Sequence, residues 1–137
     1  MKLISGIKYL LVLILFTIMS CEEVTTSQIF TIGKESTFRI NQLYYSSDGQ
    51  YTLMIKEISD SRCPEGVVCV WSGEVSLKGE WISSGTITPV ELHTVMKDLQ
   101  KEPDGFTIQI MDAKPYPKYG TESKPEDLAI TLLIQKK

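Results

Sequence analysis

The sequence predicts an all-β fold, an antiparallel β-sandwich of about seven strands with one disulfide-closed loop, set behind an N-terminal signal peptide. Three observations predict it. From Gln28 onward apolar residues recur with period two rather than 3.6. Turn chemistry built on glycine, serine and aspartate returns about every ten residues. No stretch carries the i, i+3, i+4 spacing of an amphipathic helix of useful length.

Residues 1–20 stand apart from the rest. Lys2 and Lys8 form a basic opening, Tyr9 to Met19 an apolar run, and the small residue Ser20 precedes Cys21, which together read as an export signal. The run is short of the roughly 20 residues a bilayer-spanning helix needs. The tetrapeptide Ile18-Met19-Ser20-Cys21 resembles the lipobox of bacterial lipoproteins, with Met where Ala, Ser or Thr is more usual. That resemblance implies that Cys21 is acylated and becomes the mature N-terminus, held on a membrane by its acyl chains far more firmly than one chain would hold it. Simple secretory cleavage near Ser20 is the other reading. It leaves one odd cysteine out of three in an oxidising space, whereas acylation of Cys21 leaves Cys63 and Cys69 as an even pair.

The expected localisation is therefore the bacterial cell envelope, lipid-anchored at the periplasmic face or the cell surface of the outer membrane. In some bacterial lineages acidic residues just after the lipidated cysteine influence display at the surface, and Glu22-Glu23 is a hint of that kind. The chain carries 14 Lys and Arg against 17 Asp and Glu, a formal net charge of −3, and becomes more acidic once Lys2 and Lys8 leave with the signal. That balance argues against nucleic acid and against electrostatic attraction to anionic lipid.

Residues 21–27, polar and rich in Thr and Ser, read as a tether between lipid and fold. Residues 28–137 read as one domain, large enough for a modest core. Gln28 to Ile32 gives a first strand closed by Gly33-Lys34, and Thr37 to Ile40 a second with Phe38 and Ile40 on one face. Leu43 to Tyr45 leads into Ser46-Ser47-Asp48-Gly49, where Asp-Gly signals a hairpin because both positions tolerate positive φ. The returning strand, Tyr51 to Ile58, turns Tyr51, Leu53 and Ile55 one way. Trp71, Gly73, Val75, Leu77, Gly79 and Trp81 then alternate with polar residues, which predicts a strand with one buried and one wet face. Both tryptophans are expected on the buried face, filling space left by Gly73 and Gly79.

Ser83-Ser84-Gly85 turns the chain into a strand from Ile87 to Met96, with Pro89 confining its early part to an edge or bulge. On that strand Val90 and Leu92 face the core, and alternation places His93 outside, exposed. Lys97 to Gly105 is a charged connection with one helical turn around Asp98-Leu99-Gln100. Phe106, Ile108 and Ile110 mark the next strand. Lys114 to Gly120 contains Pro115 and Pro117, which lack donors, so an ordered extended loop is expected there. The last strand, Leu128 to Ile134, has so regular an apolar face that it belongs inside a sheet.

The densest stretch is Asp60-Ser61-Arg62-Cys63-Pro64-Glu65-Gly66-Val67-Val68-Cys69-Val70-Trp71-Ser72-Gly73-Glu74. In an exported chain Cys63 and Cys69 are expected to form a disulfide, worth roughly 2 kcal/mol by loop-closure entropy. Pro64 and Gly66 supply the bend. A redox dithiol would want Cys-x-x-Cys at a helix N-terminus, and two thiolates with the single histidine His93 underfill a soft-metal site, so no metal and no cofactor is expected. The stretch is similar to a pattern in small, largely uncharacterised secreted proteins and lipoproteins of bacteria, Asp-Ser-Arg-Cys-Pro-x-Gly-Val-x-Cys-Val-Trp-x-Gly-Glu. In those proteins a Pro-Tyr-Pro loop and a final apolar strand follow. Residues 60–74 and 112–134 carry the similarity, which implies a shared domain and no particular activity.

No Gly-x-Ser-x-Gly elbow, phosphate loop or His-Glu-x-x-His motif is present. The first expectation is thus a non-catalytic binding module, monomeric, presenting its surface to an unknown envelope protein or extracellular ligand. The candidate binding residues are Tyr116 and Tyr119, tyrosines on a proline-stiffened loop, with Arg62 beside the knuckle; Tyr44 and Tyr45 are candidates to extend the patch. Asp60 and Arg62 read either as a ligand clamp or as a loop brace. Two other functions fit the residues, an inhibitor of a secreted hydrolase and a small carboxylate-dependent envelope enzyme. An acidic pair lining a pocket would favour the enzyme.

Overall fold

The computed structural model describes residues 28–103 and 105–137. The expected signal peptide, the lipidation residue Cys21 and the tether 21–27 lie outside the described residues. Eight strands follow in chain order: β1 (Ile29–Phe30), β2 (Glu35–Phe38), β3 (Leu43–Ser46), β4 (Tyr51–Asp60), β5 (Val75–Ser83), β6 (Thr86–His93), β7 (Phe106–Lys114) and β8 (Ala129–Lys136). They form a five-stranded sheet, β1-β3-β4-β5-β6, and a three-stranded sheet, β2-β8-β7. The β-sandwich expected from the alternation is the fold observed.

Every pairing is antiparallel except the first, where β1 runs parallel to β3 with Ile29 opposite Tyr45. A two-residue strand gives no periodicity from which its direction could be read. β8 sits between β2 and β7, as the regular apolar face of Leu128, Ile130, Leu132 and Ile134 predicts. β6 is an edge, which accommodates Pro89 opposite Glu80. The hairpin at Asp48-Gly49 forms: Gly49 takes φ 70°, and the Asp48 carboxylate accepts hydrogen bonds from the Ser46 hydroxyl and the Gln50 N–H.

The two inner faces bury Leu53, Ile55, Leu77 and Leu92 from the large sheet against Phe38, Ile108, Ile130 and Leu132 from the small one. Each such side chain contributes roughly 1.5–3 kcal/mol by leaving water. Toward the β4 start an aromatic group closes the core, with Trp81 5.1 Å from Tyr51, 4.8 Å from Phe106 and 6.1 Å from Phe30, centroid to centroid. Tyr44 also belongs to the core: its ring lies 4.6 Å from Phe38 and its hydroxyl donates to Gln42 and accepts from the Arg39 N–H. It therefore cannot extend a surface patch.

Two bulges shift the alternation. β4 slips register between Ile55 and Glu57, and β7 between Ile110 and Asp112. The inward residues thus run Leu53, Ile55, Ile58 on β4 and Ile108, Ile110, Ala113 on β7. A bulge adds one residue and re-aims everything after it. The β4 bulge turns Asp60 inward, where strict alternation from Leu53 would have placed it on the outer face.

The strand expected from Trp71 to Trp81 begins only at Val75. Gly73 adopts φ 71°, and a Cβ there would lie 1.8 Å from the Ser61 carbonyl oxygen, so the chain turns at Gly73 instead of running straight. Trp71 falls outside the ladder. It is 54 % exposed, whereas Trp81 is 2 % exposed; the expectation that both line the core holds for Trp81 alone.

Candidate functional site

The knuckle, residues 61–74, rises from the β4–β5 end of the large sheet. Its neck is laced by backbone hydrogen bonds from Ser61 N–H to the Glu74 carbonyl and from Cys63 N–H to the Ser72 carbonyl, 2.8 and 2.9 Å. The Ser61 hydroxyl and the Glu74 backbone add further bonds across the same gap. Beyond the neck Cys63 and Cys69 are disulfide-bonded with Cα atoms 5.9 Å apart, and Gly66 at φ 87° makes the bend.

Arg62 ties this loop to the one that follows β7. Its Nε and Nη2 donate to the two oxygens of Asp60 at 2.8 and 2.6 Å, Nη1 donates to the Ala113 carbonyl at 2.8 Å, and Nη2 also reaches the Pro115 carbonyl at 3.1 Å. The guanidinium carbon stands 4.5 Å from the centroid of the Tyr116 ring. Hydrogen bonding to Asp60 raises the Arg62 pKa further above its already high ordinary value. Nearby, the Glu65 N–H donates to the Pro117 carbonyl at 2.9 Å. Of the two roles open to Arg62, clamp or brace, its donors are arranged as a brace.

The result is a stiff end of the sandwich with apolar side chains standing in water. Val68 and Val70 are fully exposed, at 102 % and 108 %, and Tyr119 is 76 % exposed. Trp71 and Tyr116 are about half exposed. Arg62, Gly73, Met111 and Tyr116 line a groove of about 290 Å³ between the two loops. Of the three candidate residues, Tyr116 and Arg62 meet in direct contact, and Tyr119 lies on the same loop with its ring free. Sequence reasoning missed Val68, Val70 and Trp71. The alternation carries no signal for this, because it is the positive φ of Gly73 that keeps the residues before it out of the strand beginning at Val75.

A second cluster lies at the start of the connection after β6. His93, expected outside and exposed, is buried. The chain after it folds back: the Thr94 N–H donates to the Val75 carbonyl, and Lys101 exchanges both backbone hydrogen bonds with Glu91. The buried Glu74 carboxylate accepts from the Val95 and Met96 N–H groups at 3.2 and 3.1 Å and from His93 Nδ1 at 3.2 Å. Burial pushes the Glu74 pKa up, but the Met96 N–H, His93 and the Val95 N–H outweigh it and hold the carboxyl below its ordinary value. An ionised carboxylate only accepts, so Nδ1 carries a proton. His93 Nε2 is buried without a hydrogen-bond partner, 3.7 Å from Glu91 Oε1. His93 lines a polar cleft of about 250 Å³ together with Glu57, Ser59, Ser76 and Glu91.

Among the described residues, no group of three or more His, Cys, Asp or Glu side chains is placed to hold a metal ion, and no helix is long and apolar enough to cross a membrane. No family model, curated protein or solved structure matches the chain.

Proposed function

We propose that this protein is a non-catalytic interaction module of the bacterial cell envelope, anchored by acyl chains on Cys21, and that its interaction surface is the knuckle end. One observation supports the reading most: Val68, Val70, Trp71 and Tyr119 are exposed on loops that a disulfide and the Arg62 hydrogen bonds hold in place. Scattered exposed apolar residues are ordinary in soluble proteins, whereas several together on a stiffened end mark a surface that something else covers. Rigid aromatic rings lose little entropy on binding.

The test has two parts. Mass spectrometry of the mature chain should find Cys21 at the N-terminus carrying acyl chains. A photo-crosslinking amino acid placed at position 71 or 119 should give adducts in intact cells, and at position 84, in the turn at the other end, none. Equal yields at all three positions would remove the proposed surface.

A second reading, a carboxylate-dependent enzyme, is favoured by the polar cleft. There Glu74 orients His93 through Nδ1, in the manner of a carboxylate positioning a general base, and Glu57 and Glu91 line the same space. Nε2, the atom that would act, is shielded from solvent, which is why this reading stands second. A hydrolase panel in which activity is present and is lost in His93→Gln would promote it.

A further inference from the structure

We infer that the domain carries a second binding site, at the end of the sandwich opposite the knuckle, and that it takes a small organic acid: a flat apolar ring bearing one carboxylate. The inference goes beyond the knuckle surface and does not depend on it.

Strand register builds the site. Tyr51 lies opposite Ser83 and Ser83 opposite Thr86, while Leu53, Trp81 and Thr88 form the neighbouring row on the same face. Leu53 and Trp81 are buried in the core, so both rows belong to the inner face of the large sheet. Along β6 the inward positions therefore run Thr86, Thr88, Val90 and Leu92. The last two are buried, whereas the first two bring hydroxyls to positions that would extend the apolar core. Ile87, between them, faces the outer side and is exposed. On the small sheet Phe106 pairs with Lys136, which places Lys136 at the inward position that follows Ile130, Leu132 and Ile134 on β8. An apolar stripe thus ends in an ammonium. Tyr51, Trp81, Thr88, Phe106 and Lys136 line an open cavity of about 470 Å³, within the size range of small-molecule sites, roughly 300–1,000 Å³.

The lining selects the ligand. Tyr51 is only partly buried, and its ring is held by Trp81, stacked at 5.1 Å and 29°, and by Phe106, edge-on at 4.8 Å and 71°. A ring fixed in this way is pre-organised for a flat apolar group, which keeps the entropy cost of binding low. Charge decides the rest. The chain carries 17 acidic residues against 14 basic ones, yet no described carboxylate lines this cavity. Lys136 has no ion-pair partner among the described residues. Its ammonium has three donors, and the hydroxyls of Ser83, Thr86 and Thr88 can donate as well. Such a rim complements an anion. One lysine matches the single charge of a carboxylate, where a phosphate dianion would keep a charge unpaired.

The experiment titrates the isotope-labelled purified protein with phenylacetate, followed by amide and indole NMR, with phenylacetamide and acetate as the uncharged and ringless counterparts. Phenylacetate should move the resonances of Tyr51, Trp81 and Thr88 and leave those of Trp71 and Tyr119 in place. Phenylacetamide should bind about fivefold more weakly, as should phenylacetate to Lys136→Gln, the loss expected for an exposed ion pair. Lys136 is exposed, so this variant keeps the fold, and its unchanged affinity for phenylacetamide would show that the cavity is intact. Acetate at the same concentration should move nothing. Thr88→Val, which removes a hydroxyl at constant shape, should weaken phenylacetate binding too. Resonances unmoved by phenylacetate, or moved only around Trp71 and Tyr119, overturn the inference. Equal affinity for the acid and the amide, or equal affinity of wild type and Lys136→Gln for the acid, overturns it as well. None of these results bears on the knuckle.

Discussion

Arg62 grips Asp60 through two parallel hydrogen bonds, of 2.8 and 2.6 Å, with side chains only 14 % and 3 % exposed, and the same guanidinium spans to the carbonyl of Ala113 on β7 of the other sheet and to that of Pro115 in the loop after it. One side chain thereby fixes the distance between the knuckle and the Pro-Tyr loop.

Arg62→Ala should cost about 3 kcal/mol, because it leaves the Asp60 carboxylate buried and unpaired. Arg62→Lys should recover only part of this, since an ammonium cannot make the two-pronged contact. Chemical denaturation measures both. Hydrogen exchange in Arg62→Ala should rise in residues 113–120 as well as in the knuckle. Exchange confined to the knuckle would contradict the bridging role.

Cys63→Ser/Cys69→Ser should lose about 2 kcal/mol by the chain-entropy account and keep its far-ultraviolet spectrum, since the bridge lies outside the sandwich core. Unchanged stability in the oxidised wild type and the double variant would contradict a brace.

Gly73→Ala and Gly66→Ala separate two reasons for glycine in the same loop. Both positions have positive φ, but Cβ at Gly66 meets open space while at Gly73 it meets the Ser61 backbone. Gly66→Ala should cost about 1 kcal/mol. Gly73→Ala should cost about 3 kcal/mol or more, because backbone strain and a backbone clash add. Thermal melts of the two variants test the order.

Much of the fold was legible because burial follows alternation. The hairpin at Asp48-Gly49, the edge position of β6, the central position of β8 and the Cys63–Cys69 bridge all follow from local chemistry. What escaped depends on register. The bulges in β4 and β7 shift every inward residue after them, and they leave no composition signal at Lys56 or Met111. The place of Trp71 turns on one glycine reversing the chain, and that of His93 on a connection folding back over it. Long-range placement of this kind is invisible to periodicity.

Glu74→Gln tests the buried carboxylate. At neutral pH it should cost about 1–3 kcal/mol, since a charged acceptor of the Val95, Met96 and His93 protons is lost. The folded pKa of Glu74 is depressed, so its contribution is complete above the unfolded value, near 4.3, and is lost as pH falls through the folded one. The stability gap between wild type and Glu74→Gln should therefore narrow below about pH 4. A gap that widens on acidification would contradict the arrangement.

The central claim is that the knuckle end is covered in the cell, and hydroxyl-radical footprinting of intact cells against the purified protein tests it most directly. Trp71 and Tyr119 should be protected in cells, while Ile87, exposed on the edge strand far from the knuckle, should be labelled alike in both. Equal labelling of Trp71 and Tyr119 in the two samples would contradict it.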